Sequence, residues 1–298
     1  MKQYSHIGFI GAGNLGGALG KNLQKAGYSV LYWDVDKTLA TAKSLDDLAQ
    51  SCDLILICTP SQVNRLIARD IAQAVGNAPT PTVISLAKGI EPGFITMDQV
   101  LAAELGRHYI SGVVSGPMLA SEITTGGISG AIVATTEAEA TAGVAHILVQ
   151  AGVITSASSD ATGVARCGAL KNVYALILGM ADGLKLSFNA KSVLTTLVIA
   201  EFRQVLATLG SSPELTYSLA GLGDLLTTGW SGSSYNWSIG KQRGEGQPAG
   251  KGEGYNTLMQ LPEVLPIAEF PLIYAAHAIF SNQAGPETLV EIIKKHNG

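Results

Sequence analysis

The sequence predicts an α/β protein in which a doubly wound, mostly parallel sheet is followed by an all-α domain. Three observations predict it. Apolar runs of strand length alternate with segments of helical spacing through the first half. From about Ala161 helical patterns run on with no clear strand. The polar, small-residue stretch SASSDATG, Ser156 to Gly163, separates the two regimes. The expected domains are residues 1–158 and 159–298.

The elements follow in order. HIGFI, His6 to Ile10, reads as the first strand. In GAGNLGGALGKNLQKAG, Leu15, Leu19, Leu23 and Ala26 fall on one helical face, and Gly27 is a natural stop. YSVLYWD is the second strand. LILIC, Leu54 to Cys58, is a continuously apolar third, and TPSQVNRLIARDIAQAV follows as a helix. TVISL, YISGVV, AIVAT and VITS complete the strands. Such alternation implies right-handed crossovers. The biased segment GKQRGEGQPAGKGEG, Gly240 to Gly254, reads as a surface loop and does not meet the spacing of a phosphate-binding P-loop.

Composition narrows the partners. A chain of 298 residues, 47% hydrophobic and 14% charged, can fill two packed domains. A net charge of −4 gives no general pull toward nucleic acid or an anionic membrane, so neither partner is expected, and an anionic ligand must be held by local groups. Cys52, Cys58 and Cys167 are odd in number, and their spacing fits no disulfide or metal pattern. With the histidines scattered as well, reduced core thiols and no metal are expected. The N-terminal residues do not read as a signal peptide. The longest apolar stretch, Val164 to Leu184, carries Arg166, Lys171 and Asp182, which marks a core helix rather than a membrane span. Cytoplasmic residence is the expectation.

Gly11, Gly13 and Gly16 spell G-x-G-x-x-G between a strand and a helix, the context of a Rossmann-type dinucleotide loop. Glycines let the backbone approach a pyrophosphate, which the helix N-terminus then holds. Asp34 closes the second strand, where a carboxylate bonds the ribose 2′-OH and repels a 2′-phosphate. NAD is therefore the expected cofactor, with Lys37 placed to soften the preference. The plainer alternatives are a glycine-rich turn without a ligand and a solvated turn carboxylate.

With these motifs in place the chain resembles the NAD(P)-dependent sn-glycerol-3-phosphate dehydrogenases of the bacterial type. The matching blocks run in one order: GAGNLGGALG, TPS at Thr59 to Ser61, SLAKGIE at Ser85 to Glu91, SGPMLASE at Ser115 to Glu122, GALKNVYALILGMADGL, AGLGDLLTT at Ala220 to Thr228, and GEG at Gly252 to Gly254. The resemblance implies reduction of dihydroxyacetone phosphate, a phosphorylated triose, with Lys171 as general acid/base and Asp224 beside it. It implies substrate contacts from Lys88, Gly116, Thr228 and Asn236. It implies a dinucleotide lined by Gly11, Gly13, Asn14, Leu15, Gly16, Asp34, Pro60, Lys88, Ala120 and Glu253. A homodimer is a further expectation, with FPLIYAAHAIF, Phe270 to Phe280, serving either as its apolar face or as internal core.

The chemistry stands independently. Hydride reduction of a ketone builds negative charge on the carbonyl oxygen, which a lysine ammonium stabilises and protonates. Burial lowers a lysine's pKa toward neutrality, and a carboxylate such as Asp224 orients it and counters that shift. Taken from pattern alone, Lys171 could equally snorkel to the surface, Asp224 could be a helix cap and Lys88 an exposed loop lysine.

Three departures from the family pattern stand out. DVDKTLATAKSLDDLAQS spans the second to third strand tersely, which reads as a trimmed surface excursion. Met118 and Leu119 replace a small or polar residue and an aromatic one, an altered pocket wall. SSYNWSIG, Ser233 to Gly240, stands where the family reads Ser-Arg-Asn-Arg-Arg-Phe-Gly. Asn236 is kept, but Tyr235, Trp237 and Ser238 replace the arginines, one of which grips the substrate phosphate in the family. Either Lys241 and Arg243 swing in to replace that fork, or Tyr235 and Trp237 suit a less charged substrate. A dehydrogenase for another carbonyl or imine, of hydroxyacid or opine type, is therefore the competing reading. A non-catalytic NAD-binding protein is the third.

Overall fold

A computed structural model describes residues 1–232 and 234–295; Ser233 of the substituted box lies outside the described residues. The chain divides into two compact units, Met1–Glu91 with Ile95–Ala165, and Pro92–Phe94 with the chain from Arg166 onward.

The first unit contains strands β1 His6–Ile10, β2 Ser29–Trp33, β3 Leu54–Ile57, β4 Thr82–Ser85, the short β5 Ile90–Glu91 and β6 Ile95–Thr96, then β7 Ser111–Ser115, β8 Ser129–Thr135 and β9 Val153–Ala157. Its helices are α1 Asn14–Lys25, α2 Leu45–Ser51, α3 Asn64–Val75, α4 Met97–Leu105, α5 Ala120–Thr124 and α6 Ala138–Gln150. Seven strands form one sheet in the order β2-β1-β3-β4-β7-β8-β9. The apolar runs are continuous because both faces are covered. Ile7, Phe9, Leu54 and Leu56 pack toward Leu19, Leu23, Val144 and Ile147 of α1 and α6. Ile10, Ile55, Ile57 and Val83 pack the other way, toward Leu48, Ile67, Ile71 and Leu101 of α2, α3 and α4.

Two features of this sheet were not read from the sequence. β7 and β8 run antiparallel, because their connection carries only the five residues of α5 and turns the chain straight back. And β2 is an edge. The usual doubly wound order, 3-2-1-4-5-6, sets another strand outside the second. Here the terse segment supplies a cap instead: the N–H groups of Thr41 and Ala42 both donate to Tyr32 O at 2.9 Å, and Tyr32 N donates to Thr41 Oγ1 at 3.0 Å.

The long helix α7 Ala161–Gly183 contains the division between the units. After it come α8 Phe188–Thr208, α9 Asp224–Trp230, α10 Tyr235–Gly244, α11 Glu253–Gln260, α12 Pro271–Phe280 and α13 Thr288–Lys295. Leu170, Val173, Tyr174, Ile177 and Leu178 of α7 are all fully buried, so the helix shows no polar stripe and is a core helix, as its composition predicts. α12 buries Leu272, Ile273, Ala276 and Ile279, so the FPLIYAAHAIF segment is internal core rather than a free apolar face. Glu201 of α8 caps that helix. Its carboxylate accepts Leu272 N at 2.7 Å and Ile273 N at 3.0 Å, and burial pushes its pKa up to about 7. The biased segment is loop only in its middle, since its ends belong to α10 and α11.

Candidate active site

In the first unit recognition is built from backbone. Gly11 turns the chain at φ +93°, a conformation side-chain-bearing residues avoid. A Cβ on Gly16 would meet Gly11 O at 2.1 Å, so only glycine lets α1 start this close to β1. Above Gly13, by contrast, a Cβ would find open space. Asn14, Leu15 and Gly16 form the first turn of α1, whose N–H groups have no acceptor within the helix. An open cradle facing unpaired donors fits a dinucleotide pyrophosphate. Asp34 stands beside it, accepting Ala12 N at 2.7 Å and Asp36 N at 3.0 Å. Its carboxylate is thereby held at the edge of the loop, where the ribose acid belongs. A cavity of about 580 Å³ lies along the loop, lined among others by Ala12, Gly13, Asn14, Lys21, Tyr32 and Thr38.

Pro60 follows β3 and Lys88 follows β4, both at the carboxyl edge of the parallel strands, where open α/β sheets bind ligands. Lys88 Nζ donates to Gly116 O at 2.9 Å, so the two residues expected to contact substrate are joined. Ala120 opens α5 and, with Asn14 and Leu119, lines a separate surface cavity. Met118 is 8% exposed and belongs to the core cluster that includes Val114 and Ile123.

In the second unit the site is built from side chains. Lys171 is 5% exposed on α7 between fully buried neighbours. Its Nζ donates to Thr228 Oγ1 at 2.6 Å and lies 3.3 Å from Asp224 Oδ1. Thr228 Oγ1 is 3.4 Å from the same carboxylate oxygen. Asp224 and Thr228 are four apart on α9 and so share a face. A π-helical turn, Leu219–Gly223, delivers Asp224 there, and the Ser218 side chain caps it by accepting from Gly221 N. The ammonium does not snorkel, and Asp224 is no mere cap: the pair is buried together.

Asn236 of α10 accepts Gly254 N at 3.0 Å, and Asn172 Nδ2 donates to Glu253 Oε2 at 3.3 Å. The GEG segment therefore lies against α7, so tightly that a Cβ on Gly254 would meet Asn172 O at 2.4 Å. Asn172 received no role from the sequence. Its partner lies 81 residues away, and no local signal announces it.

The substituted box resolves into separate fates. Trp237 Nε1 donates to Asp182 Oδ2 at 2.7 Å, and the Lys191 ammonium holds the other oxygen of Asp182. Arg243 does not swing in either. Its guanidinium is bound to Ile279 O and Asn282 Oδ1 at the end of α12. Lys241 lies over the Trp237 ring, 5.4 Å from its centroid, with Nζ 3.9 Å from Glu245 Oε1. Its backbone packs on Gly179 and Gly183, two to three turns along α7 from Lys171. Tyr235, in place of the first arginine, is 63% exposed beside Gly250 and Gly252.

Comparison with known proteins places the chain in a family. A family model for the NAD-dependent glycerol-3-phosphate dehydrogenase C-terminus matches residues 160–291, and the N-terminal model of the same enzyme matches 34–141. Glycerol-3-phosphate dehydrogenase (NAD(P)+) of Synechococcus sp. (strain JA-3-3Ab) is 32% identical over 294 residues, covering 94% of this chain and 92% of the relative. That of Pseudomonas aeruginosa (strain LESB58) is 30% identical, covering 99% and 94%. Among solved structures, the glycerol-3-phosphate dehydrogenase of Coxiella burnetii shares the fold at a TM-score of 0.85 and 24% identity, over 98% of this chain and 99% of that one. The chain belongs to the NAD-dependent glycerol-3-phosphate dehydrogenase family.

Proposed function

We propose that this enzyme, an NAD(P)-dependent oxidoreductase, reduces dihydroxyacetone phosphate to sn-glycerol 3-phosphate with Lys171 as general acid. The buried Lys171–Thr228–Asp224 cluster carries the reading. The bound reduced nicotinamide supplies the hydride. The chain supplies the rest: as charge develops on the ketone oxygen, Lys171 Nζ stabilises it and hands over a proton. Asp224 Oδ1 favours the ammonium before that transfer, and Thr228 Oγ1 fixes its direction. In the reverse direction the neutral amine takes the proton back. Lys88, Gly116, Thr228 and Asn236 contact the substrate, with Gly116 O also holding Lys88, and Glu253 contacts the dinucleotide. Pro60 and Ala120 line the dinucleotide with the glycine loop. Asp34 favours NAD over NADP, because a 2′-phosphate would meet its carboxylate. Cytoplasmic residence, in keeping with three free cysteines, and a homodimer complete the proposal.

The test is loss of NADH absorbance with dihydroxyacetone phosphate, run beside unphosphorylated dihydroxyacetone and a panel of 2-oxo acids. Turnover of the phosphate is expected. The second reading, a different carbonyl substrate on the same catalytic frame, is favoured by Tyr235 in place of an arginine and by the engagement of Arg243 elsewhere. Silence on the phosphate with turnover of another panel member would establish it.

A further inference from the structure

The start of α3 contains two consecutive side chains that no motif singled out. Asn64 is fully buried. Its Nδ2 donates to Pro60 O at 2.9 Å and lies 3.4 Å from Thr59 Oγ1. Its Oδ1 accepts from Ser85 Oγ at 2.7 Å, and Ser85 Oγ accepts Ala87 N at 3.2 Å. The polarity of this chain is fixed. Pro60 O can only accept and Ala87 N can only donate, so Asn64 and Ser85 each have one workable orientation between them. Arg65, the next residue, grips the other end of the same segment. Its Nε lies 2.8 Å and its Nη2 2.6 Å from Glu91 Oε2, with Nε also 3.1 Å from Oε1. Arg65 also bonds Glu104 of α4, which ties the grip to a second helix. Ser85 and Glu91 bracket Lys88, and Asn64 alone also reaches back to the Thr59–Pro60 loop.

We propose that Asn64 and Arg65 are positioning residues that clamp the Lys88 segment at both ends, Asn64 in addition locking it to the loop that lines the dinucleotide. The functional half rests on the reading above, in which Lys88 touches substrate and Pro60 lines the cofactor. The clamp makes the two loops one rigid edge, so the placement of the substrate-binding ammonium depends on the order of the cofactor loop. A buried, fully satisfied chain of this kind specifies one arrangement.

The experiment compares Asn64→Leu, Ser85→Ala and Arg65→Lys with wild type in three readouts: NADH Kd by fluorescence, substrate KM and kcat, and hydrogen exchange of the amides in residues 86–91. Arg65→Lys keeps the charge and loses the fork, on a side chain one-third exposed, so it folds. It is expected to raise KM by about tenfold or more with NADH Kd unchanged. Asn64→Leu is expected to raise both, and Ser85→Ala to follow it more weakly. Faster exchange across 86–91 accompanies each. If Asn64→Leu does not fold, the other two variants decide. Wild-type exchange at 86–91 in Ser85→Ala and Arg65→Lys overturns the clamp whatever the substrate is. Faster exchange with unchanged KM and Kd overturns its functional half. Failure of the wild type on dihydroxyacetone phosphate sinks the assigned reaction alone, because exchange and NADH Kd still report on the clamp.

Discussion

The Gly11–Gly16 loop and the Lys171 cluster prepare for charge by opposite means. The loop has almost no side chains. It presents backbone N–H groups, and its selectivity lies in what is missing, such as the Cβ that Gly16 cannot carry. The cluster is all side chain, a lysine, a threonine and an aspartate within 3.4 Å contacts inside apolar helices. Backbone recognition leaves a spacing in the sequence, because glycine is needed at fixed steps. Side-chain recognition leaves only an oddity, a charge in an apolar run, and its partner must come from elsewhere in the fold.

The largest break of this comparison is Lys171→Ala. It should lower kcat by about 10³-fold or more while NADH Kd stays put, since the chemical and the backbone halves are separate; titration of NADH beside steady-state kinetics reads both. Substantial residual turnover would remove Lys171 from the mechanism. Gly16→Val is the complementary break. With a Cβ forced to 2.1 Å from Gly11 O, NADH affinity should fall by about 100-fold, with a lower melting temperature. Binding within twofold of wild type would refute the steric argument.

A third prediction concerns stability in the second unit. Burial raises the Glu201 carboxyl from 4.5 to about 7, against the pull of two amides and the Tyr174 hydroxyl. Between those values the native state holds a proton that the unfolded chain has released. This group's contribution therefore favours folding at low pH and is lost as pH rises through about 7. Glu201→Gln should flatten the pH dependence of denaturant unfolding between pH 5 and 8, a difference of up to about 3 kcal/mol; parallel curves would exclude it. The smallest effect is expected at Asp34. Asp34→Ser should shift the NADPH-to-NADH ratio of kcat/KM upward by about tenfold, and a wild type that already prefers NADPH would overturn the assignment.

Legibility followed the same divide. Strands β1, β3 and β4 with helices α1 and α3 were readable because each step is local: an apolar run, a glycine stop, a helical face. The antiparallel β7–β8 pair and the edge position of β2 were not, because neighbours in a sheet are a nonlocal choice. In the second unit the buried lysine announced itself, but Asp224 beside it came from a resemblance, and its contact with Thr228, 57 residues on, was not read at all. Proximity in sequence misled where it was used. Arg243 sits close to the substituted box, yet its guanidinium is spent on a carbonyl 36 residues away. Trp237 Nε1 donates to Asp182, a partner 55 residues away that its own box does not announce.

The edge at β2 has a consequence for how such chains change length. The β1–β2 register, His6 with Ser29 through Ile10 with Trp33, is set by the pair itself, and the outer side needs only the Thr41–Ala42 cap. Nothing in the glycine loop leans on a further strand. A strand outside β2 is thus not required by the β1–β2 pair, and the turn at residues 37–40, between the Asp34 carboxylate and the Thr41–Ala42 cap, is where insertions should be tolerated.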